Sequence, residues 1–376
     1  MDGVTSALDL EAGSSYVDRW YALREGKTII NYGVSIGHAQ IRMRVMKDPG
    51  PVFPSGDAAK RAASTSELRE IKHQIEQGLE RGAIGIGLLM AYTPAVTREE
   101  ILEIFYLANK YNVPCYVHIR SPEFKALQEV IEAAEATRGP LHVVHVNSMG
   151  LRDTPTFLQA IGEAKSRGLD VTTECYPYTA AATGIESALF DEGWKETLGI
   201  DYKDIEWAAT GERLTEKTFK AYRKKGGIVI VHLMSEDMIQ LAVAHPLTTI
   251  ASDSLLVDGK GHPRSAGTFC RVLGRYVRER KTLTLMEALH KMTLMPAQRL
   301  EARVPAMKNK GRLRIGADAE ITIFDPERVI DKATFKEPTK YSEGIGYVLV
   351  NGVLVVKDGQ LLAGVNPGKP IRAVIK

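Results

Sequence analysis

Along most of this chain, short apolar runs alternate with longer stretches whose apolar positions recur at helical spacing. The runs Val4–Leu10, Thr28–Ile36, Ile84–Leu88, Cys115–Ile119, His142–Val146, Asp170–Cys175 and Thr248–Ser252 are predicted as strands. Several are almost continuously hydrophobic, as expected of parallel strands buried on both faces. Between them, Ile71, Ile75 and Leu79 line one helix face, and Ile101, Ile104, Phe105 and Leu107 line another. Strand and helix alternating this regularly predict an α/β fold with a parallel sheet. Seven such strands are one short of a closed eight-stranded barrel.

Two regions break the rhythm. Residues 183–247 are more polar, hold Trp194 and Trp207, and contain one further apolar run at Ile228–Leu233. They are expected to form an insertion near the last strands. A helix then starts at Thr284, which with Glu287 forms a capping box. From about Gly311 the pattern changes to short alternating segments, Glu320–Phe324, Tyr347–Val350 and Val353–Lys357. The pair Asn351-Gly352 between the last two predicts a two-residue hairpin turn. The expected organisation is a barrel over residues 1–305 and a small β-domain over 306–376.

Composition narrows the function classes. The 376 residues carry 49 basic and 46 acidic side chains, a net charge of +3, with no basic run or stripe. Nucleic acid and an anionic membrane surface are therefore poor partners. No apolar run approaches the roughly 18 residues of a membrane span, and the first residues lack the basic and apolar regions of a secretory signal. The three cysteines, Cys115, Cys175 and Cys270, are far apart and odd in number, which fits a reducing cytoplasm and no disulfide framework.

Polar residues at the C-terminal ends of the predicted strands carry the candidate chemistry. Glu11 follows Leu10, His118 and His145 end two strands, and Asp253 follows Ser252. In a barrel these ends converge on one face. Two imidazoles with a carboxylate suit a borderline metal, zinc by default. A further carboxylate can take a proton from water made acidic by the metal. His38 and His232 also end apolar runs and compete with this pair. His73, His142, His245 and His290 are expected in structural or surface roles. No P-loop and no Gly-x-Ser-x-Gly elbow occurs, and Gly82-Ala-Ile-Gly-Ile-Gly enters a strand, the wrong order for a dinucleotide fingerprint. Cys175 lies in a buried strand without an evident base and is read as core.

The stretch from Gly82 through Tyr92-Thr-Pro resembles a segment of the N-acyl-D-amino-acid deacylases, the D-aminoacylases of the amidohydrolase superfamily. The likeness continues through Tyr116-Val-His-Ile-Arg, Val144-His-Val-Asn-Ser, Tyr176-Pro-Tyr-Thr-Ala, Ser252-Asp-Ser, His262-Pro-Arg-Ser and Lys291-Met-Thr. It extends through Gly311-Arg-Leu-Arg-Ile-Gly-Ala-Asp and covers the chain from about residue 3 onward. The resemblance implies a TIM-like (β/α) barrel and zinc-dependent cleavage of the amide bond in N-acyl-D-amino acids. It implies that His118 and His145 hold the metal, that Glu11 takes a position where many members have a bridging cysteine, and that Asp253 is the general acid/base. Arg120 is expected to pair with the substrate carboxylate, because a guanidinium meets a carboxylate in a planar fork. Tyr92, Tyr178 and Ser187 are further expected pocket contacts.

The family's first barrel strand, with its His-x-His pair, has no counterpart here. A single Zn2+ per chain, on Glu11, His118 and His145, is therefore expected. A sheet missing that strand would expose two parallel edges, which makes homo-oligomerisation plausible. Two rival readings follow: the same site hydrolysing esters, lactones or β-lactams, or an inactive remnant that serves as a binding subunit.

Overall fold

The computed structural model describes residues 1–375. Six of the predicted strands form as β1 (Ser6–Ser14), β2 (Asn31–Gly37), β3 (Ile86–Leu89), β4 (Cys115–His118), β5 (Leu141–Val143) and β6 (Val171–Cys175). Residues 180–232 supply β7 (Ala180–Gly184), β8 (Ile205–Trp207), β9 (Glu212–Arg213) and β10 (Ile228–His232), and the seventh predicted strand is β11 (Thr248–Ile250). The parallel sheet runs β1-β2-β3-β4-β5-β6-β11. All its ladders are parallel.

Helices connect these strands where the apolar spacing predicts them. Thr65–Glu80 buries Ile71, Ile75 and Leu79 and starts in a capping box made by Ser64 and Glu67. Arg98–Tyr111 buries Ile101, Ile104, Phe105 and Leu107 and ends on Asn112 in the left-handed region. Both faces pack into one continuous core with Val34, Ile36, Ile86, Leu88, Cys115 and Val117 of the strands. Covering by helices is why those strands are apolar throughout.

The sheet curls until its two edges face one another. Leu8 and Leu10 of β1 and Thr249 of β11 line the same cavity of about 270 Å³, floored by the helix Leu294–Leu300. No ladder joins β1 to β11 among the described residues.

The antiparallel sheet is ordered β7-β10-β8-β9. It has its own core, in which Phe190, Trp194, Trp207 and Phe219 pack with Ile205, Val229 and Val231. The apolar run at Ile228 thus becomes a central strand of this second sheet. A third sheet joins Ile321–Phe324, Ile345–Val350, Val353–Lys357 and Gln360–Leu361. Val350 pairs with Val353 across Asn351 (φ 50°) and Gly352 (φ 80°), the two left-handed residues that a type I′ turn requires. The chain start is tied to this region: Asp2 accepts from the backbone N–H groups of Phe269 and Cys270 and from Ser342.

Candidate metal centre

Glu11 owes its position to a bulge. In the β1–β2 ladder Asp9 pairs with Val34 and Ser14 with Ile36, so residues 10–13 stand opposite Ser35 alone. The Ser35 hydroxyl holds the loop by donating to the Leu10 carbonyl at 2.5 Å, and the Asp9 carboxylate accepts from Gly13 N–H at 2.9 Å. The extra chain is pushed across the sheet, onto two glycines. A Cβ at Gly87 of β3 would stand 2.1 Å from the Glu11 carbonyl oxygen, and one at Gly37 of β2 would stand 2.3 Å from that of Ala12. Bulges re-aim side chains in this way. Here the strand runs on to Ser14, beyond the end at Leu10 that alternation predicts.

The bulge delivers the Glu11 carboxylate to two imidazoles. His118 is the last residue of β4, and its Nδ1 lies 2.8 Å from Glu11 Oε1. His145 lies two residues past β5, in left-handed backbone (φ 32°) at the start of the helix Val146–Gly150. Such a conformation costs energy in a non-glycine residue and is typical of functional turns. His145 Nε2 lies 3.0 Å from His118 Nδ1 and 3.4 Å from Glu11 Oε1. Its other nitrogen, Nδ1, is 2.9 Å from the Ser148 hydroxyl, which fixes the ring from behind.

The three atoms fit a metal. Ligands about 2.0–2.2 Å from a tetrahedral ion stand roughly 3.3 Å apart, close to the separations between these three. Both rings are buried, so water does not solvate this cluster freely. The donor set, two neutral nitrogens and a carboxylate oxygen, is one that zinc takes with a fourth position left open.

Charge couples the same groups. Burial works against ionisation of Glu11, but the two imidazoles outweigh it and hold the carboxyl below its usual range. Burial likewise opposes a charge on His145, yet the Glu11 carboxylate raises it to about 9. His118 is lowered by burial and by the neighbouring His145. The charge states of the three groups are therefore coupled.

Asp253 lies just past β11, also in left-handed backbone (φ 45°). It lines one cavity of about 80 Å³ together with Glu11, His118, His145, Ser148, Tyr92 and Tyr176. Burial pushes Asp253 up to about 6, against the pull of Arg264. Arg264 is almost fully buried, its Nη1 lies 2.8 Å from Asp253 Oδ2, and its guanidinium carbon lies 4.4 Å from the centre of the Tyr176 ring. The larger cavity at the sheet edges holds none of these groups, so the chemistry belongs to the smaller one.

The other expected contacts divide. Tyr92 lines the cavity and its hydroxyl meets Thr183 at 2.8 Å. Arg120 does not line it. Its guanidinium is taken by both Glu129 oxygens, at 2.9 and 3.0 Å, and by the carbonyls of Pro94 and Val96. Tyr178 and Ser187 are buried outside the cavity lining, Tyr178 with its hydroxyl 3.5 Å from Asp331. The rival histidines are engaged elsewhere: His38 Nε2 is 2.8 Å from Glu100, and His232 Nε2 is 3.1 Å from Glu206. His142 lines the larger cavity at the sheet edges instead, with Nδ1 2.7 Å from Thr172. Cys175 is buried and its thiol is pushed up to about 12, in keeping with a core role.

The residue that sequence reading passed over is Arg264. It sits inside the quoted His262-Pro-Arg motif, yet nothing in the linear pattern separates it from the many surface arginines. The glycines Gly37 and Gly87 were visible, but only the fold reveals what they admit.

Known proteins resemble this chain over most of its length. The chain is 32% identical over 355 residues to an N-acyl-D-glutamate deacylase of Alcaligenes xylosoxydans xylosoxydans, covering 89% of this chain and 68% of the relative. It is 30% identical over 388 residues to a D-aminoacylase of the same organism, covering 96% and 75%. Its fold superposes with a TM-score of 0.82 on the crystal structure of an N-acyl-D-glutamate deacylase from Bordetella bronchiseptica, complexed with zinc and a phosphonate mimic of the tetrahedral intermediate. That match has 27% identity and covers 99% of this chain and 83% of the other. The amidohydrolase family model matches residues 3–356, and the chain belongs to that family.

Proposed function

We propose that this protein is a zinc-dependent deacylase that cleaves the amide bond of N-acyl-D-amino acids with one metal per chain. The observation that carries the reading is the convergence of Glu11, His118 and His145 within 3.4 Å of one another, with Asp253 lining the same cavity. In this reading the curled sheet belongs to a TIM-like barrel spanning 1–305, with residues 183–247 inserted into it and 306–376 a separate β-domain.

Glu11, His118 and His145 would hold the ion. When bound, zinc supplies a Lewis acid for the substrate carbonyl and makes water acidic enough to lose a proton near neutral pH. Asp253 takes that proton and hands it to the leaving amine nitrogen, so one carboxylate serves as base and then as acid. Its neighbour Arg264 keeps Asp253 substantially ionised at neutral pH, since a nearby cation favours the charged form. Arg264 does not itself line the cavity but reaches it through Asp253, and in this reading it takes the place of Arg120 as the anchor for the substrate's α-carboxylate, since Arg120 has its donors committed to Glu129 and two carbonyls. Tyr92 lies edge-on to His118, with ring centres 5.1 Å apart, and closes one side of the pocket.

The test pairs metal content with turnover. Wild-type protein should hold about one zinc per chain and release the amine from N-acetyl-D-amino acids. Asp253→Asn should keep the metal and lose at least a thousandfold in kcat, consistent with loss of general acid/base help and charge stabilisation together. His145→Ala should lose the metal. Undiminished turnover in Asp253→Asn refutes the assignment.

A further inference from the structure

One wall of the cavity differs in character from the rest. The parallel sheet contributes the metal triad, Asp253 and two tyrosines. The antiparallel sheet and its loops contribute Leu189, Phe190, Leu198, Val231 and Leu233, with one polar side chain, Thr183, whose hydroxyl is held by Tyr92. Among the described residues, no lysine or arginine lines the cavity.

Four basic residues of this second sheet and its loops pair with carboxylates that do not line the cavity. Lys195 pairs with Asp201 at 2.6 Å, Lys220 with Glu216 at 2.5 Å, and Arg213 with Glu206 at 3.5 Å. Arg223 pairs with Asp191. The wall is also firm. Phe190 packs edge-on against Trp194 and Phe219, with ring centres 5.6 and 5.7 Å apart. Asn147, two residues past His145, is committed as well: its amide nitrogen donates to the Tyr176 carbonyl at 3.1 Å.

We infer that this apolar wall makes the protein selective for N-acyl amino acids with uncharged, apolar side chains and makes it reject acidic ones. The inference rests on the deacylase reading above. Arg264 already pairs with Asp253 at 2.8 Å and, in the deacylase reading, also receives the α-carboxylate common to every such substrate, which leaves it no capacity for a side-chain carboxylate. Of the remaining substrate, the acyl group and the side chain both meet hydrocarbon. An apolar side chain gains from leaving water there. A second carboxylate would be desolvated with no partner, and site-built discrimination against an unpaired buried charge is strong. This sets the chain apart from relatives whose names specify D-glutamate or D-aspartate, despite 32% and 29% identity to them.

The experiment separates binding from turnover. Zinc-loaded, full-length Asp253→Asn protein is titrated calorimetrically with N-acetyl-D-leucine and N-acetyl-D-glutamate, and wild-type protein is assayed on both by amine release. N-acetyl-D-leucine should bind at least tenfold more tightly and show a kcat/KM about 100-fold higher, the latter equivalent to roughly 2.8 kcal/mol. A binding preference for leucine with turnover of neither compound upholds the wall inference and refutes the deacylase reading. Binding of the two within tenfold, or tighter binding of the glutamate compound, overturns the wall inference even if both are hydrolysed. Binding of neither overturns both.

Discussion

Replacing Gly87 with alanine should disable the metal centre from outside it. The residue carries no ligand, and its own backbone conformation is one that alanine accepts, so the effect is purely steric. A Cβ there would stand 2.1 Å from the Glu11 carbonyl oxygen and 2.8 Å from its carbonyl carbon. Carbon and oxygen settle at about 3.3 Å, so the β1 bulge must retreat by about 1 Å. Metal–ligand distances tolerate only about 0.2 Å, and Glu11 would be carried out of range of the two imidazoles. Zinc affinity should fall at least 10–100-fold, the size of effect seen when ligand support is lost. Overpacking should also lower stability by about 1–3 kcal/mol. The assay is competition for zinc against a chelator of known affinity, with Gly162→Ala as control. In the helix Thr154–Ser166 a Cβ at Gly162 meets only Leu247, at an ordinary 3.4 Å. That variant should bind zinc normally and gain up to ~1 kcal/mol from helix propensity. Wild-type zinc affinity in Gly87→Ala would refute the claim that the glycine is what admits Glu11.

Other expectations follow from the same geometry. Arg120→Ala should leave KM unchanged and lower Tm by a few degrees, losing its ion pair and two carbonyl contacts, together worth about 1–3 kcal/mol; Arg264→Met should raise KM at least tenfold, and steady-state kinetics on both variants will show whether the assignments are reversed. Burial holds Asp253 up at about 6 against Arg264, and its basic form is the active one. So kcat/KM should fall as pH drops through that region, and Arg264→Met should move the acid limb to higher pH; a limb that stays or moves down contradicts the role given to Arg264. Glu100 is buried, but His38 and Arg42 outweigh the burial and lower its pKa. Its stabilising effect is thus full above the unfolded carboxyl pKa and is lost as pH falls through the folded one. Glu100→Gln should destabilise by about 3–5 kcal/mol at pH 7, leaving Arg42 buried without its counter-charge, with a deficit that shrinks below about pH 4.5. Urea unfolding at both pH values measures this, and a pH-independent deficit would speak against an ionic origin.

Periodicity alone determined much of this protein. The apolar runs place all seven parallel strands, because strands covered by helices are enriched in apolar residues, even though β6 carries Thr172, Thr173 and Glu174. The helix faces through Ile71 and Ile101 follow from 3.6-residue spacing, and the Asn351-Gly352 turn follows from the backbone angles that only such residues adopt readily. His118, His145 and Asp253 could be singled out because polar groups ending apolar strands need a reason to be there. Glu11 could be named but not placed, since its reach depends on a bulge whose extra residues look like ordinary strand. That bulge exists because Gly37 and Gly87, distant in sequence, leave room for it. Arg120 and Arg264 could not be told apart from one dimension: what separates them is which carboxylate each meets, Glu129 on a neighbouring helix or Asp253 at the cavity. The apolar wall was hidden for the same reason. Leu189, Phe190 and Leu198 belong to a stretch that alternation reads as irregular, and they share a face with Val231 and Leu233 only when the second sheet folds over the first. Local spacing determines which residues form elements, whereas the distances at which side chains meet depend on how the sheet curls, and that is set by packing between residues far apart in the chain.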